Sequence, residues 1–381
     1  MKLDPRLVAC GLCSALAFLL IPAAAYAQMG GQECSDIQML QHKCGEQQQS
    51  NKKQQQTKKQ SQYPNATRKE PSNLGVSGDE GKTLNAGLAA ANSGDAATAQ
   101  KDLQPIADSS KNNYAKALAL LGLAQIKYNA GDTKGAIALQ KQALDLNSLD
   151  NDSYFQGLFA LAQMYVADED YSDALTTLNK WQQEGRKETA DAYALKGNIL
   201  YRLQKYPEAV AAIEKAKSMT DKSQPSWDQI ELASYFAMDK YDEAAKLAEA
   251  MLAKDPNNSK LMMNVVAIYM NAKQYPKALA LLERARANGQ IHDETTYVNM
   301  SKLYYNLAVE GTDPKQNATK AAQVLEEGMT KGIVQPSQDN YKLMGDAYRL
   351  AGDTAKANAA YAKAGLPPVG SSSGKRHGKK H

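Results

Sequence analysis

An alanine that returns at a nearly fixed interval is the feature of this sequence that most restricts its fold. In four central units it follows a tyrosine by three positions, and these units are 34 or 35 residues apart. A period of this length indicates one repeated supersecondary unit instead of several unrelated globular domains. With looser flanks the position occurs eight times: Ala99, Ala136, Ala174, Ala209, Ala244, Ala278, Ala321 and Ala357.

A second small or apolar residue stands twelve positions before the alanine in seven of the eight units. These residues are Gly87, Ala124, Ala162, Gly197, Leu232, Val266 and Gly345. In the remaining unit Ser301 precedes Ala321 by twenty positions, which predicts an eight-residue insertion within 306–317.

Each unit has the pattern of two amphipathic helices joined by a short turn. In the fourth unit Tyr193, Gly197 and Leu200 follow a helical period, and Ala209 and Ile213 resume it after the turn. Small residues at the crossing let the two backbones approach closely. One such pair cannot bury both of its apolar faces, so stacked neighbours complete the core and the array becomes a solenoid.

This pattern resembles the tetratricopeptide repeat (TPR), which carries aromatic, small and apolar residues at set places in 34 residues. The resemblance implies an all-α, right-handed α-solenoid of about eight TPR-like helical hairpins over residues 80–366. The last unit matches best, through Tyr341, Met344, Gly345, Tyr348, Gly352, Ala357, Tyr361 and Ala364.

Repeats of this family bind extended peptides or helices in a concave groove formed by the first helix of each pair. If the resemblance holds, twelve residues form the partner-binding groove. They are Gln125, Tyr128, Phe159, Gln163, Asn198, Tyr201, Gln229, Phe236, Met263, Met270, Lys302 and Tyr305. Apolar anchors among amides suit a protein segment. The alternative is that the same residues pack against the adjacent repeat.

The carboxylate clamp of chaperone-binding members is not predicted, because Asn198 stands with Ala194 where that clamp needs a lysine. The last unit carries charged residues on the corresponding face. Among them, Lys342 and Asp346 lie four residues apart and are expected to pair along one helix.

The charge of the chain is unevenly distributed. The whole sequence has a formal net charge of +4, but residues 79–373 hold 32 Lys and Arg against 36 Asp and Glu. The basic excess therefore belongs to the flanking segments, and the repeat body is poorly suited to binding nucleic acid.

The first 27 residues have the three parts of an export signal. Lys2 and Arg6 precede an apolar stretch, and Ala25 and Ala27 flank the expected cleavage site. We expect cleavage near Ala27 and export, with an uncleaved membrane anchor as the alternative. In residues 28–44, Cys34 and Cys44 are expected to form a disulfide in an oxidising compartment. Free or intermolecular thiols and a metal site are the alternatives.

Residues 45–78 are rich in Gln, Lys, Ser and Asn, with few apolar residues to bury. They are expected to be a disordered linker, and residues 367–381 a disordered basic tail. Both are interpreted as solvated spacers. Weak contact of these basic segments with anionic envelope surfaces is the alternative.

A narrower resemblance covers residues 190–364. Stretches such as 197–201, 226–235 and 325–329 look like exported repeat proteins that accompany TonB, ExbB and ExbD energy-transduction systems in Gram-negative bacteria. That resemblance implies a periplasmic adaptor that assists TonB-dependent nutrient uptake, with TonB-system components as partners. The alternative is an envelope-organising structural protein of outer-membrane assembly or cell division.

The sequence predicts no enzymatic activity, no catalytic site, no cofactor and no metal. The repeat region contains one histidine, His292, and no cysteine, so it offers no Ser-His-Asp triad and no metal-ligand cluster. His292 is expected in a solvent-facing loop between units. The sequence leaves the partner's identity and the oligomeric state open.

Overall fold

The computed structural model describes residues 60–370, and these residues form sixteen α-helices and no β-strand. The predicted all-α repeat fold is confirmed. The helices are α1 Gly78–Ser93, α2 Ala96–Ser109, α3 Asn113–Asn129, α4 Thr133–Asp145, α5 Asn151–Ala167, α6 Tyr171–Gly185, α7 Ala190–Arg202, α8 Tyr206–Ser218, α9 Pro225–Ala237, α10 Tyr241–Lys254, α11 Ser259–Asn271, α12 Tyr275–Ala287, α13 Glu294–Val309, α14 Pro314–Thr330, α15 Gln338–Leu350 and α16 Thr354–Lys363.

The described residues belong to two compact units that divide between Met238 and Asp239. The first unit consists of four hairpins, α1/α2, α3/α4, α5/α6 and α7/α8, followed by α9. The second consists of α10 and three hairpins, α11/α12, α13/α14 and α15/α16. Within each unit, the second helix of one hairpin also packs against the first helix of the next.

The small residues lie where the two helices of a hairpin cross. All eight repeated alanines are 0% exposed. At Gly197 an added Cβ would lie 2.6 Å from Cδ1 of Ile213 on the partner helix. At Gly345 it would lie 2.6 Å from the ring of Tyr361. The close approach inferred from the sequence is therefore present in both units.

The turn within a hairpin is short because one residue adopts a positive φ. Glycine supplies that conformation in the second hairpin, where Gly131 has a φ of 83°. In the fourth hairpin Gln204 has a φ of 59° despite its side chain. An aspartate often follows and caps the second helix, as where the Asp132 carboxylate accepts the N–H of Gly135 at 2.9 Å.

The predicted eight-residue insertion lengthens helices instead of forming a long loop. Helix α13 has 16 residues and α14 has 17, whereas α7 and α8 have 13 each. Only residues 310–313 separate α13 from α14. The added residues thus extend the hairpin without disturbing the crossing at Ser301, whose hydroxyl donates to the backbone carbonyl of Ala321 at 2.7 Å.

A tyrosine–glutamate hydrogen bond links several successive hairpins, and we call it a rung. Its tyrosine stands three residues after the small position of a first helix, and its glutamate stands five residues after the repeated alanine of the preceding second helix. Burial and the nearby carboxylate both raise the pKa of these tyrosines, to about 12 for Tyr235, so each hydroxyl stays a donor at neutral pH. The rungs are Tyr235–Glu214 at 3.4 Å, Tyr269–Glu249, Tyr304–Glu283 at 2.8 Å and Tyr348–Glu326 at 2.7 Å.

The expectation of a disordered linker over 45–78 is wrong for its second half. Residues 60–77 lack helix but run along the first unit, and we call residues 61–70 the strap. Tyr63 is only 5% exposed. Its ring packs 4.9 Å from that of Phe155 and 6.1 Å from that of Trp181, and Trp181 Nε1 donates to its hydroxyl at 3.1 Å. Residues 45–59 lie outside the described part.

Polar contacts fix the strap on either side of Tyr63. The Asp152 carboxylate accepts from the Ser61 hydroxyl at 2.7 Å and from the Gln62 N–H at 2.9 Å. The Thr67 N–H donates to the carbonyl of Glu184 at 2.7 Å. The polar composition had suggested that this segment could not offset the conformational entropy lost on ordering. One buried ring and several hydrogen bonds together offset that loss.

We expect enlargement of a crossing alanine to destabilise the repeat. Replacing Ala209 with Leu adds three carbons where no space exists, so the free energy of unfolding should fall by about 1–3 kcal/mol. Ala211→Leu on the same helix is the matched control, since Ala211 is exposed, and its effect should stay below about 0.5 kcal/mol. Equal denaturant midpoints for the two variants would contradict the crossing.

Truncating the strap's aromatic anchor should also lower stability. Tyr63→Ala removes a buried ring, and we expect the free energy of unfolding to fall by roughly 3 kcal/mol in urea unfolding followed by the fluorescence of the two tryptophans, Trp181 and Trp227. Lys69→Ala, at an exposed strap position, should leave the unfolding curve unchanged. An unaltered curve for Tyr63→Ala would mean that the strap is not docked.

Candidate functional site

All twelve predicted groove residues lie on first helices. Eight belong to the first unit: Gln125 and Tyr128 on α3, Phe159 and Gln163 on α5, Asn198 and Tyr201 on α7, and Gln229 and Phe236 on α9. Four belong to the second unit: Met263 and Met270 on α11, and Lys302 and Tyr305 on α13.

Two of the twelve are buried within their unit and present no surface to a partner. Asn198 is 3% exposed and Met270 is 8% exposed. The helical period does not separate a groove position from a packed one when the neighbouring helix lies close. For these two residues the alternative interpretation, packing against the repeat array, fits the structure.

The aromatic members divide between packing and exposure. Phe159 is half-buried, and its ring lies 5.2 Å from that of Trp181. Tyr201 stacks against Tyr206 at 5.8 Å between ring centroids. Burial raises the pKa of Tyr128 and of Tyr201, so both hydroxyls remain protonated and able to donate at neutral pH.

The polar members are more accessible. Gln163 is exposed, while Gln125 is half-buried and its amide donates to the Asn129 side chain at 2.8 Å. Such amides can exchange a local partner for the backbone of a bound segment. In the first unit, accessible amides thus lie on α3 and α5, and half-buried tyrosines lie on α3 and α7.

The last first-helix, α15, carries the predicted charged pair. The ammonium of Lys342 lies 2.8 Å from the Asp346 carboxylate, which confirms their pairing. The hydroxyl of Tyr361 also donates to that carboxylate at 2.7 Å. This charge is satisfied within its own hairpin.

A second concave feature, absent from the sequence prediction, lies in the first unit between α4 and α6. We call it the α4/α6 groove. It encloses about 650 Å³ and opens to solvent. Its lining residues are Thr67 and Arg68 of the strap, Lys141, Leu144, Asp145 and Asn147, Tyr154, Leu158, Leu161 and Tyr165 of α5, and Thr177, Lys180 and Glu184 of α6.

Arg68 of the strap forms one end of this groove. Its guanidinium lies 4.1 Å from the ring centroid of Tyr154 and donates to Asn147 at 3.0 Å and to Asn151 at 2.8 Å. The remaining nitrogen, Nη2, is buried and has no hydrogen-bond partner in the described structure. Burial lowers the pKa of Arg68, although the group remains a cation.

Within residues 60–370, no three His, Cys, Asp or Glu side chains converge as metal ligands, and no helix is long and apolar enough to cross a bilayer. His292 lies exposed between α12 and α13, as predicted. The expected export signal 1–27 and the pair Cys34 and Cys44 fall outside the described residues.

Sequence comparison identifies the repeat directly. Profiles described as tetratricopeptide repeat match residues 84–151, 159–224 and 235–291. No curated protein matches the sequence.

Several solved structures are similar to this chain. A tetratricopeptide repeat protein from Parabacteroides merdae is 16% identical, over 70% of this chain and 98% of its own, with a TM-score of 0.43. YrrB, a TPR protein with an unusual peptide-binding site, is 21% identical over 44% and 84%, with a TM-score of 0.38. TTC0263 of Thermus thermophilus is 18% identical over 50% and 99%, with a TM-score of 0.32.

Two neighbouring first-helix residues should separate packing from surface roles. Phe159→Ala removes part of the ring contact with Trp181 and should lower the free energy of unfolding by roughly 1–2 kcal/mol. Gln163→Ala, at the exposed position on the same helix, should change it by less than about 0.5 kcal/mol. Thermal unfolding of both variants measures the difference. If Phe159→Ala left the free energy of unfolding unchanged, Phe159 would belong to the accessible surface and not to the packed one.

Proposed function

Because this chain belongs to the tetratricopeptide repeat family, we propose that it is a protein-binding adaptor. Its partner is an extended or helical segment of another protein, which lies along the accessible face of the first helices. The repeats act as a scaffold and contribute binding instead of catalysis.

The row of tyrosines and amides on α3, α5 and α7 carries this proposal. Tyr128 and Tyr201 are half-buried, so each offers an apolar ring together with a hydroxyl donor. Gln125 lies on the same helix as Tyr128, and Gln163 lies on α5; both amides can satisfy a partner's backbone N–H and C=O groups. Anchors of this kind, flanked by hydrogen-bonding groups, favour a polypeptide over an apolar ligand.

We further propose that the adaptor works in the periplasm and assists TonB-dependent energy transduction. Support comes from the tripartite pattern of residues 1–27 and from the resemblance of residues 190–364 to exported repeat proteins of TonB, ExbB and ExbD systems. The partner is then a component of that system.

Site-specific photocrosslinking in intact cells tests both levels of the proposal. A photoreactive residue at Tyr201 should capture a protein partner, whereas the same residue at Ala211, exposed on second helix α8, should not. Mass spectrometry then identifies the captured protein, and a TonB-system component supports the finer proposal. Equal capture from both positions contradicts the first-helix surface, and recovery of this chain alone indicates a self-associating scaffold.

A further inference from the structure

The Tyr–Glu rungs show which side chain meets the tyrosine at a junction between hairpins. In four places a tyrosine hydroxyl from a first helix meets the glutamate of the preceding second helix, for example Tyr304 with Glu283 at 2.8 Å. The glutamate carboxylate accepts a hydrogen bond from the tyrosine hydroxyl. At each of these junctions the tyrosine is thus satisfied by a carboxylate from the same chain.

The junction between the second and third hairpins has the tyrosine but lacks the carboxylate. Tyr165 stands three residues after Ala162, the tyrosine place of a rung. Lys141, five residues after Ala136, occupies the glutamate place. The α4/α6 groove opens at this junction and is lined by both residues. The cation Lys141 therefore stands where the rungs have a glutamate, and the groove at this junction is open to solvent.

The lining of the groove carries a small excess of positive charge. Arg68, Lys141 and Lys180 line it, against the carboxylates of Asp145 and Glu184. Arg68 Nη2 is buried without an acceptor, which leaves a hydrogen-bonding capacity that a carboxylate oxygen would satisfy. The lining also includes the aliphatic side chains of Leu144, Leu158 and Leu161.

We propose that the α4/α6 groove binds an acidic segment of a partner protein. A Glu or Asp side chain of that segment takes the place of the missing rung glutamate, accepts from Tyr165 and pairs with Lys141 and Arg68. Aliphatic neighbours in the segment pack on the leucines. The site uses α4, α6, the strap and the residues of α5 that line the groove. Neither Phe159 nor Gln163 of α5 lines it, so it is separate from the surface of the proposed function and stands or falls independently of that surface.

A polypeptide suits this groove better than a small metabolite. The groove is open to solvent and runs between two helices, so a chain can enter and leave along it. The internal precedent is also a glutamate side chain carried on a polypeptide, as at Tyr348 with Glu326. The recognised feature is then a carboxylate beside apolar side chains.

The decisive variant is Lys141→Glu, because it completes a rung with Tyr165 and fills the groove with the chain's own carboxylate. The probe is a fluorescent, end-blocked peptide of alternating Leu and Glu, with Gln replacing Glu in its matched control. Binding to the full-length protein is measured by fluorescence anisotropy. We expect the wild type to bind the Glu peptide at least about tenfold more tightly than the Gln peptide, as loss of one charge-assisted contact predicts.

Lys141→Glu should abolish that preference while the thermal midpoint of unfolding stays equal or rises by about 2 °C. Lys134→Glu is the control, because it makes the same charge change at an exposed position of α4 that does not line the groove. Tyr165→Phe should weaken the Glu peptide several-fold and leave the Gln peptide unchanged.

Three results would overturn the proposal. The first is equal binding of the Glu and Gln peptides, or no binding of either by the wild type. The second is a loss of binding as large for Lys134→Glu as for Lys141→Glu, which would reveal unspecific charge attraction. The third is competition by free glutamate at the concentration of the peptide, which would indicate a small-molecule site.

Discussion

The crossing of two helices at a small side chain is the contact on which the rest of this structure depends. At Gly197 the backbones approach so closely that one added carbon would lie 2.6 Å from Ile213 and 3.3 Å from the carbonyl oxygen of Ala209 on the partner helix. A hairpin this tight has little interior of its own, and its apolar residues must be covered by the next hairpin. Hairpins stack because a single hairpin cannot bury its own apolar residues. The stack has two kinds of surface, one on the first helices and one between the second helices.

The third hairpin shows how the chain responds when the crossing rule is relaxed. Seven residues after the repeated alanine, five of the other seven units have Ala or Gly, as at Ala143 and Ala216, but the third has Trp181. A buried indole needs both packing area and an acceptor for its N–H. Tyr63 supplies both, through ring contact and a 3.1 Å hydrogen bond. The strap therefore belongs to the fold of the first unit, although it precedes the repeats in sequence.

Periodic features of the fold could be predicted from the sequence, and isolated contacts could not. The helix crossings within each unit, including the irregular one at Ser301, were recoverable because each repeats a spacing that only paired helices explain. The strap was missed because a single Tyr63 within a polar stretch carries no period, and its partner Trp181 is 118 residues away. Burial of Asn198 and Met270 was missed for a related reason, since helical phase gives a direction but not the distance to the next helix. The Tyr–Glu rungs follow two fixed offsets in the sequence, but they were not predicted, because the offsets alone do not show that the two side chains meet across stacked hairpins.

Those offsets suggest a general way to locate binding surfaces in a repeat array. A polar group that recurs at a junction and is satisfied there, as Tyr304 is by Glu283, contributes to stacking and is unavailable to a partner. Where one member of the pair changes sign, as at Lys141, stacking must be maintained by other contacts, here those of the neighbouring strap. At that junction the buried Nη2 of Arg68 has no acceptor among the described residues. Recognition is expected where the internal ladder is interrupted, because an uninterrupted ladder has no donor left to offer.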